Sequence, residues 1–158
     1  NSVDKMDMHI TNYKLSHDAA APIGYALYTG EKKACIATDL GYFSEEVKNI
    51  IKDADVVLLE SNHDVEMVKF GPYPYSLKRR ILSDVGHLSN DACGQAIVDT
   101  MSNKHKHIIL GHLSKTNNFP DLAYQTVVNI LKENNIDIGK DISLNLAKRD
   151  MPSNLIEF

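Results

Sequence analysis

The chain has 158 residues, 43% of them apolar and 24% charged, and a formal net charge of −4. That length is sufficient for one domain with a buried core, and the composition is typical of a soluble globular protein. The acidic balance argues against a surface that is basic all over, whereas a local basic patch or a bound metal remains compatible with it.

The first half of the chain predicts strands followed by a helix. Patterns typical of strands, with turn signals between them, lie at 6–16, 23–29 and 32–38. Gly30 and Glu31 separate the second from the third, which predicts a tight hairpin. Ser44 is expected to cap a helix that begins at residue 45. The continuous apolar run at 55–60 is typical of a strand covered on both faces.

The second half predicts helices alternating with strands. Helical patterns occupy 64–70, 76–82, 90–103 and 121–135, and strands are predicted at 107–110 and 142–147. Ser89 can cap the third of these helices. The two cysteines, Cys35 and Cys93, stand in apolar or helical contexts without a metal-binding spacing. We therefore predict reduced core thiols, a cytoplasmic location and, since no apolar run reaches membrane-spanning length, no membrane partner.

This order of elements predicts an α/β fold, in α+β layers, with a mixed sheet and helices packed on one side. In such folds, loops at strand ends present the chemically active side chains. Polar groups follow several predicted strands: His17, Asp18, Asp39, Glu60, Asn62, His63, Asp64 and His112. His87 stands in the turn before the helix capped by Ser89. Converging imidazoles and a carboxylate would suit zinc, manganese or iron.

Each of these residues also has a purely structural interpretation. His17 is compatible with a turn residue bonded to Asp18, and Asp39 with an Asx turn before Gly41. His87 and His112 are compatible with loop or capping residues. His9, His105 and His107 lie beside charged residues or inside strand-like segments, where a structural role is favoured. The joint pattern, rather than any single residue, favours a site.

Several segments together resemble the metallo-β-lactamase fold. "SHDAAAPIGYALYTGEKKACIATDLG" is similar to the part of that fold in which a histidine turn precedes a hairpin that ends in a metal-bridging aspartate. "VLLESNHD", "GPYPYSLKRRILSDVGHLSNDA" and "IILGHLSKTNN" resemble its WalJ/YycJ-type exonuclease branch, related to tRNase Z. The resemblance covers roughly residues 8 to 150.

The resemblance implies roles for individual residues. His17, Asp39 and His112 would be metal ligands, with Asp39 shared by two divalent ions, zinc or manganese. His87 would serve catalysis on the leaving-group side, and Glu60 would orient a histidine. Phosphate or substrate contacts are expected from Ser89, Asn90, Ser114 and His63.

The His-x-His-x-Asp-His signature of that family is absent from the chain, and "HKH" at 105–107 leads into a strand instead. Residues 1–158 are therefore expected to be the C-terminal half of a metallo-β-lactamase-like domain. With only part of the ligand set, the fragment is predicted to bind metal weakly or not at all and to be inactive alone. Its uncovered apolar face is expected to favour homo-oligomers.

For the intact enzyme the resemblance implies metal-assisted phosphodiester hydrolysis, with nucleic acid, DNA in preference, as the substrate. The basic run Lys78, Arg79 and Arg80 is a candidate for contact with the nucleic-acid backbone, or else a solvated helix face. Tyr73 and Tyr75 are candidates for base stacking, or else for loop packing. Two other classes stay open: a metallohydrolase of a small thioester or lactam, and a non-catalytic dimerisation module.

Overall fold

The structure, a computed structural model, describes residues 2–5 and 7–158. Its strands are β1 (Ser2–Lys5), β2 (Met8–Lys14), β3 (Ile23–Thr29), β4 (Lys32–Ala37), β5 (Val56–Glu60), β6 (Lys106–Gly111) and β7 (Ile142–Leu146). These described strands form a single sheet in which spatial order follows chain order. Pairing is antiparallel from β1 to β4 and parallel from β4 to β7. The predicted mixed sheet is confirmed.

The helices are α1 (Glu45–Ile51), α2 (Val65–Phe70), α3 (Tyr75–Ile81), α4 (Asn90–Asp99) and α5 (Pro120–Glu133). Both predicted serine caps are present: Ser44 Oγ accepts from Val47 N and Ser89 Oγ from Ala92 N. Each cap satisfies one of the free N–H groups at its helix start. No helix in the described part of the chain combines the length and hydropathy that a membrane span requires.

The core lies on one face of the sheet. Alternate residues of the strands, such as Ala26, Cys35 and Val57, are buried against α1, α4 and α5. Alternation arises because successive side chains of a strand point to opposite faces. Both cysteines are buried free thiols, and burial raises their pKa. The predicted packing of helices on one side is confirmed.

The other face of the sheet is partly open. Ile23, Tyr25 and Ile36 are 37–41% exposed, and Val56 and Leu58 of β5 are half-buried. The prediction that 55–60 is covered on both faces was therefore wrong for this chain, because helices cover one face alone. The sequence at 55–60 is continuously apolar because Val56 and Leu58, on the partly open face of β5, are apolar as well.

Two boundaries differ from the predictions. The pattern at 6–16 is not one strand from its start: Asp7 has a positive φ of 61° and turns the chain between β1 and β2. Met6 lies outside the described residues. The helix predicted over 90–103 ends at Asp99, because the Thr100 hydroxyl donates to the carbonyls of Ala96 and Ile97 and closes the last turn.

Strand direction determines where the site lies. Since β2 is antiparallel to β3 and β3 to β4, β2 runs in the same direction as β4, β5 and β6. The carboxyl ends of these four strands therefore meet at one edge of the sheet. His17, Asp39, Glu60 and His112 stand at or just after those ends. This edge is where open α/β sheets carry their ligands.

Candidate metal centre and active site

Four side chains at this edge converge. One potential ligand atom from each of Asp39, Glu60, His87 and His112 lies within 4.8 Å of the others. Glu60 is buried, Asp39 and His87 are partly buried and His112 is exposed. The cluster therefore has a closed base and an open mouth, as expected where a small ligand enters.

Two glycines allow the loops around this cluster to approach closely. A Cβ on Gly41 would lie 2.3 Å from the carbonyl carbon of Asp84. A Cβ on Gly86 would lie 2.2 Å from the carbonyl oxygen of Arg80. A side chain at Gly41 would push the loop that carries Asp39 away from the turn that carries His87, and one at Gly86 would push that turn away from the end of α3. The glycines in "DLG" and "VGH" thus bring the aspartate and the histidine together.

Glu60 is the anchor of the cluster. Its Oε1 lies 2.8 Å from His87 Nδ1 and 2.6 Å from His112 Nδ1. Its Oε2 accepts from the backbone N–H of Leu40 at 2.9 Å and of Leu88 at 3.3 Å. Burial alone would raise the pKa of Glu60, but hydrogen bonds led by those of His112 and His87 outweigh it, so the pKa lies below its ordinary value. Glu60 is therefore a carboxylate with four donors.

These bonds fix how the imidazole rings present themselves. An Nδ1 that faces a carboxylate or a carbonyl must carry the proton, so in the neutral ring Nε2 carries the lone pair. This holds for His87 and His112 against Glu60, and for His17, whose Nδ1 lies 2.8 Å from the carbonyl oxygen of Gly86. The bond to Glu60 raises the pKa of His112 although burial opposes it.

Asp39 lies among the three rings. Its Oδ1 is 3.8 Å from Nε2 of His17, 3.6 Å from Nε2 of His112 and 3.7 Å from Nδ1 of His87. The ring centroid of His87 is 5.0 Å from that of His17 and 5.4 Å from that of His112. The structure thus brings together all five residues predicted to be metal ligands or catalytic groups.

Two of these residues adopt a left-handed backbone conformation. Asp39 has a φ of 63° and His112 a φ of 57°. Residues other than glycine adopt such values infrequently. Asn62 supports the second of them, since its amide donates to the carbonyl of His112 at 2.8 Å. Residues held in such conformations cluster at functional sites, because strain of about 1–3 kcal/mol persists only where surrounding contacts impose it.

The donor set fits a divalent transition metal. The ligands typical of zinc and manganese sites are two or three imidazole Nε2 atoms, on rings oriented by a hydrogen bond at Nδ1, together with one carboxylate. The distances from Asp39 Oδ1 to the ring nitrogens exceed hydrogen-bonding range. The Asp39 carboxylate and the ring nitrogens are therefore not hydrogen-bonded to one another, and a gap remains between them.

The predicted phosphate and substrate contacts are not all close to the opening of the cluster. Ser114 lines the groove that leads away from it. Ser89 caps α4, and Asn90 is fully buried, where its Oδ1 accepts from Ser61 Oγ at 2.7 Å. His63 is 1% exposed, and burial lowers its pKa to about 4. The structure does not bring the side chains of Asn90 and His63 to the groove.

The groove beside the cluster contains part of the predicted basic and aromatic region. Arg80 and Tyr73 line it, and Arg80 Nη2 donates to Asp18 Oδ1 at 2.7 Å. Arg79 instead lies over the ring of Tyr75, with 6.0 Å from Cζ to the centroid. Lys78 donates to the carbonyl of Lys69. Of the run at 78–80, only Arg80 faces the groove.

Several groove residues were not predicted from the sequence. Lys115, Phe119, Lys148, Arg149 and Met151 line it together with His87 and His112. They come from the loop after β6 and the segment after β7, which are distant in sequence. These isolated charged residues and the single aromatic residue form no recognisable sequence motif, so only the folded structure identifies them as groove residues.

Comparison with known proteins agrees with this geometry. The chain is 41% identical over 149 residues to exodeoxyribonuclease YycJ of Bacillus anthracis, covering 94% of the chain and 56% of the relative. It is 42% identical over 151 residues to exodeoxyribonuclease WalJ of Streptococcus pneumoniae, covering 96% and 56%. The chain thus spans about half the length of these relatives.

Solved structures share the fold. The metallo-β-lactamase fold protein YhfI of Bacillus subtilis superposes with a TM-score of 0.63 at 14% identity, covering 94% of this chain and 49% of that one. The short form of human tRNase Z superposes with a TM-score of 0.51 at 18% identity, covering 73% and 40%. Residues 2–113 match the model of the β-lactamase superfamily domain. The chain belongs to the β-lactamase superfamily, and within it is similar to the YycJ and WalJ exodeoxyribonucleases.

Proposed function

We propose that this chain is the C-terminal part of a metal-dependent phosphodiesterase that degrades DNA. The observation that carries the proposal is the convergence of Asp39, Glu60, His87 and His112 within 4.8 Å at the carboxyl ends of neighbouring strands. The similarity to two exodeoxyribonucleases supports a DNA substrate.

The metal would be held by Asp39, His17 and His112, with further ligands from a segment outside this chain. A carboxylate suits the shared position because it has two oxygens and its charge offsets that of two cations. Bound divalent ions, zinc or manganese, would supply Lewis acidity and a reactive water near neutral pH. The three ligands in hand would hold metal weakly, so we propose that the chain alone is inactive.

The remaining residues orient groups and move protons. Glu60 holds the Nδ1 atoms of His87 and His112, so the two rings keep one tautomer and one orientation. His87 lines the groove and, when both ring nitrogens carry protons, would donate the proton on Nε2 to the departing oxygen of the phosphodiester. Ser114, on the same groove, would offer its hydroxyl to a phosphate oxygen.

The chain's open sheet face motivates a further proposal. Ile23, Tyr25 and Ile36 stay substantially exposed there, and in isolation we expect this face to promote self-association. Light scattering measures the molar mass of the chain in solution and so tests this expectation. A chain that remains monomeric at high concentration would contradict it.

The experiment for the function compares this chain with a longer protein that contains it, both incubated with end-labelled DNA and Mn²⁺. We expect release of nucleotides by the longer protein and none by the chain alone. Asp39→Ala in the longer protein should abolish release, and Asp53→Ala, an exposed aspartate before β5, should not. Hydrolysis of a glutathione thioester in place of DNA would favour the small-substrate class, and activity that survives Asp39→Ala would refute the proposal.

A further inference from the structure

The loop that carries His17 is fixed by hydrogen bonds to the turn after α3. The backbone N–H of Asp18 donates to the carbonyl of Val85 at 3.0 Å. Nδ1 of His17 lies 2.8 Å from the carbonyl oxygen of Gly86, so Nδ1 carries the proton and Nε2 carries the lone pair. These bonds do not involve the side chain of Asp18, and they hold the loop whichever way that side chain points.

A carboxylate lies beside the open nitrogen of His17. Oδ1 of Asp18 is 3.6 Å from Nε2 of His17, just outside hydrogen-bonding range. An approach by about 0.7 Å would bring the two atoms to the length of an ordinary hydrogen bond. Nε2 would then have to carry a proton, because a carboxylate only accepts hydrogen bonds. A protonated nitrogen has no lone pair for a metal, so Asp18 is a potential competitor of the metal at this atom.

Arg80 holds that carboxylate in place. Its Nη2 donates to Oδ1 of Asp18 at 2.7 Å, and its Nε donates to Oδ2. Two bonds from one planar guanidinium to both oxygens define the orientation of the carboxylate as well as its position. The side chains of Arg80 and Asp18 are 49% and 31% exposed, so the pair should contribute little to the stability of the fold. Its consequence is therefore the direction in which the Asp18 carboxylate points.

The residue at position 80 is itself fixed by the turn that contacts His17. The Arg80 carbonyl accepts from the hydroxyl of Ser83 at 2.8 Å and from the backbone N–H of the same residue at 3.2 Å. A Cβ on Gly86 would lie 2.2 Å from that carbonyl oxygen, so the close approach requires a glycine. Residues 80–86 therefore bear on both nitrogens of the His17 ring. Gly86 binds Nδ1, and Arg80 restrains the carboxylate beside Nε2.

We propose that Arg80 is a positioning residue that holds the Asp18 carboxylate off Nε2 of His17 and so keeps this nitrogen open to a divalent metal ion. The inference rests on the proposed function, because it takes His17 to be a metal ligand. It gives Arg80 a role other than the contact with a nucleic-acid backbone that the basic run suggests. Since Nε and Nη2 both donate to Asp18, Arg80 acts through its neighbour and need not touch the substrate.

Zinc titrations of the chain, followed by long-range nitrogen–proton NMR spectra, test this role because they report each ring separately. In Arg80→Gln we expect Nε2 of His17 to carry a proton before zinc is added. The zinc concentration that gives half of its shift should rise about ten-fold, a factor that corresponds to one hydrogen bond to a charged group. Nε2 of His112 should respond as in the wild type, since Glu60 orients that ring.

Arg79→Gln is the matched control. It removes the same charge from the neighbouring position of α3, but Arg79 lies over the ring of Tyr75 and does not line the groove. We expect the zinc response of this variant to equal that of the wild type. Urea unfolding should give the same midpoint for both glutamine variants, so that a changed response at His17 is not a loss of the fold.

A second substitution separates this role from a general loss of structure. Asp18→Ala removes the competing carboxylate, so in the Arg80→Gln background it should restore the zinc response of His17 to that of the wild type. A disturbed fold or a lost phosphate contact would not be repaired by the removal of another side chain. Asp18→Ala alone should also respond like the wild type, because the backbone bonds of the loop remain.

The inference fails if Arg80→Gln leaves the zinc response of His17 unchanged, or if Asp18→Ala does not restore it. Tighter zinc binding by Arg80→Gln, or weaker binding by Asp18→Ala alone, would also overturn it, because Asp18 would then be a metal ligand itself. A failure of the proposed function gives a different result. If neither His17 nor His112 responds to zinc in the wild type, the metal centre is refuted. If both respond there and His17 responds identically in Arg80→Gln, only this inference is refuted.

Discussion

Replacement of Glu60 by glutamine tests the anchor of the cluster. The carboxylate accepts four hydrogen bonds, two from imidazole Nδ1 atoms and two from the backbone N–H groups of Leu40 and Leu88. An amide has one oxygen and one NH₂ group, so it can satisfy only one of these pairs. With the oxygen towards the rings, the NH₂ group faces two backbone donors. With the orientation reversed, it faces two imidazole N–H groups.

The magnitude follows from the donors left without an acceptor. Glu60 is fully buried, and each buried donor without a partner costs about 1–3 kcal/mol. Two of them predict that Glu60→Gln lowers the free energy of unfolding by about 2–6 kcal/mol, a large share of the stability of an ordinary domain. If the rings instead change tautomer, Nε2 of both rings becomes protonated, and Nε2 of His112 can then no longer bind metal.

Urea unfolding at neutral pH with a chelator measures the first effect, and long-range nitrogen–proton NMR spectra report the tautomer of each ring. Glu66→Gln is the matched control, since Glu66 is exposed and pairs with Lys69 at 2.9 Å, an interaction of about 1 kcal/mol or less. Equal stability of the two variants, with unchanged tautomers in Glu60→Gln, would refute the role assigned to Glu60.

Three further changes have defined outcomes. Gly86→Ala forces a Cβ to 2.2 Å from the Arg80 carbonyl oxygen, so we expect the free energy of unfolding to fall by about 1–3 kcal/mol, and an unchanged value would contradict the close approach. Burial lowers the pKa of Lys106 to about 8, so above that pH the unfolded state binds one more proton at this residue. Unfolding titrations should therefore show the free energy of unfolding of the wild type rising relative to that of Lys106→Met between about pH 8 and pH 10, because the buried thiols contribute equally to both proteins. Burial would raise the pKa of Asp55, but hydrogen bonds from Lys104 and from the backbone of Lys33 lower it overall. The carboxylate should therefore stabilise the fold above about pH 4, and this stabilisation should be lost in acid. Asp55→Asn should remove this pH dependence.

The ends of strands and the starts of helices could be predicted from the sequence, because residues close together in the chain determine them. Hydrophobic alternation and the Gly30 turn predicted the β3–β4 hairpin, and serine caps predicted the starts of α1 and α4. Parallel pairing then brings Asp39, Glu60 and His112 to one edge whatever the details of the loops. This explains why the cluster could be predicted from residues placed after strands.

Side-chain partners and groove walls could not be predicted in the same way. Asn90 follows a helix-capping serine, a position that suggested a phosphate contact, yet its amide is needed inside the network of Asn118 and Ser61. His63 follows Glu60 closely, but the end of β5 directs it into the interior. Phe119 and Arg149 become neighbours of the site only through tertiary packing, which leaves no periodic trace in the sequence.

The most direct test of the metal centre is an NMR titration of the chain with millimolar Zn²⁺, following the imidazole nitrogens. We predict that Nε2 of His17 and His112 shifts while Nδ1 stays protonated, and that Asp39→Ala abolishes the change. His105, whose two ring nitrogens lie at hydrogen-bonding distance from the Lys140 carbonyl and the Ser143 hydroxyl, serves as the internal control and should not respond. Shifts confined to His105, or no shifts at any of these rings, would contradict the account.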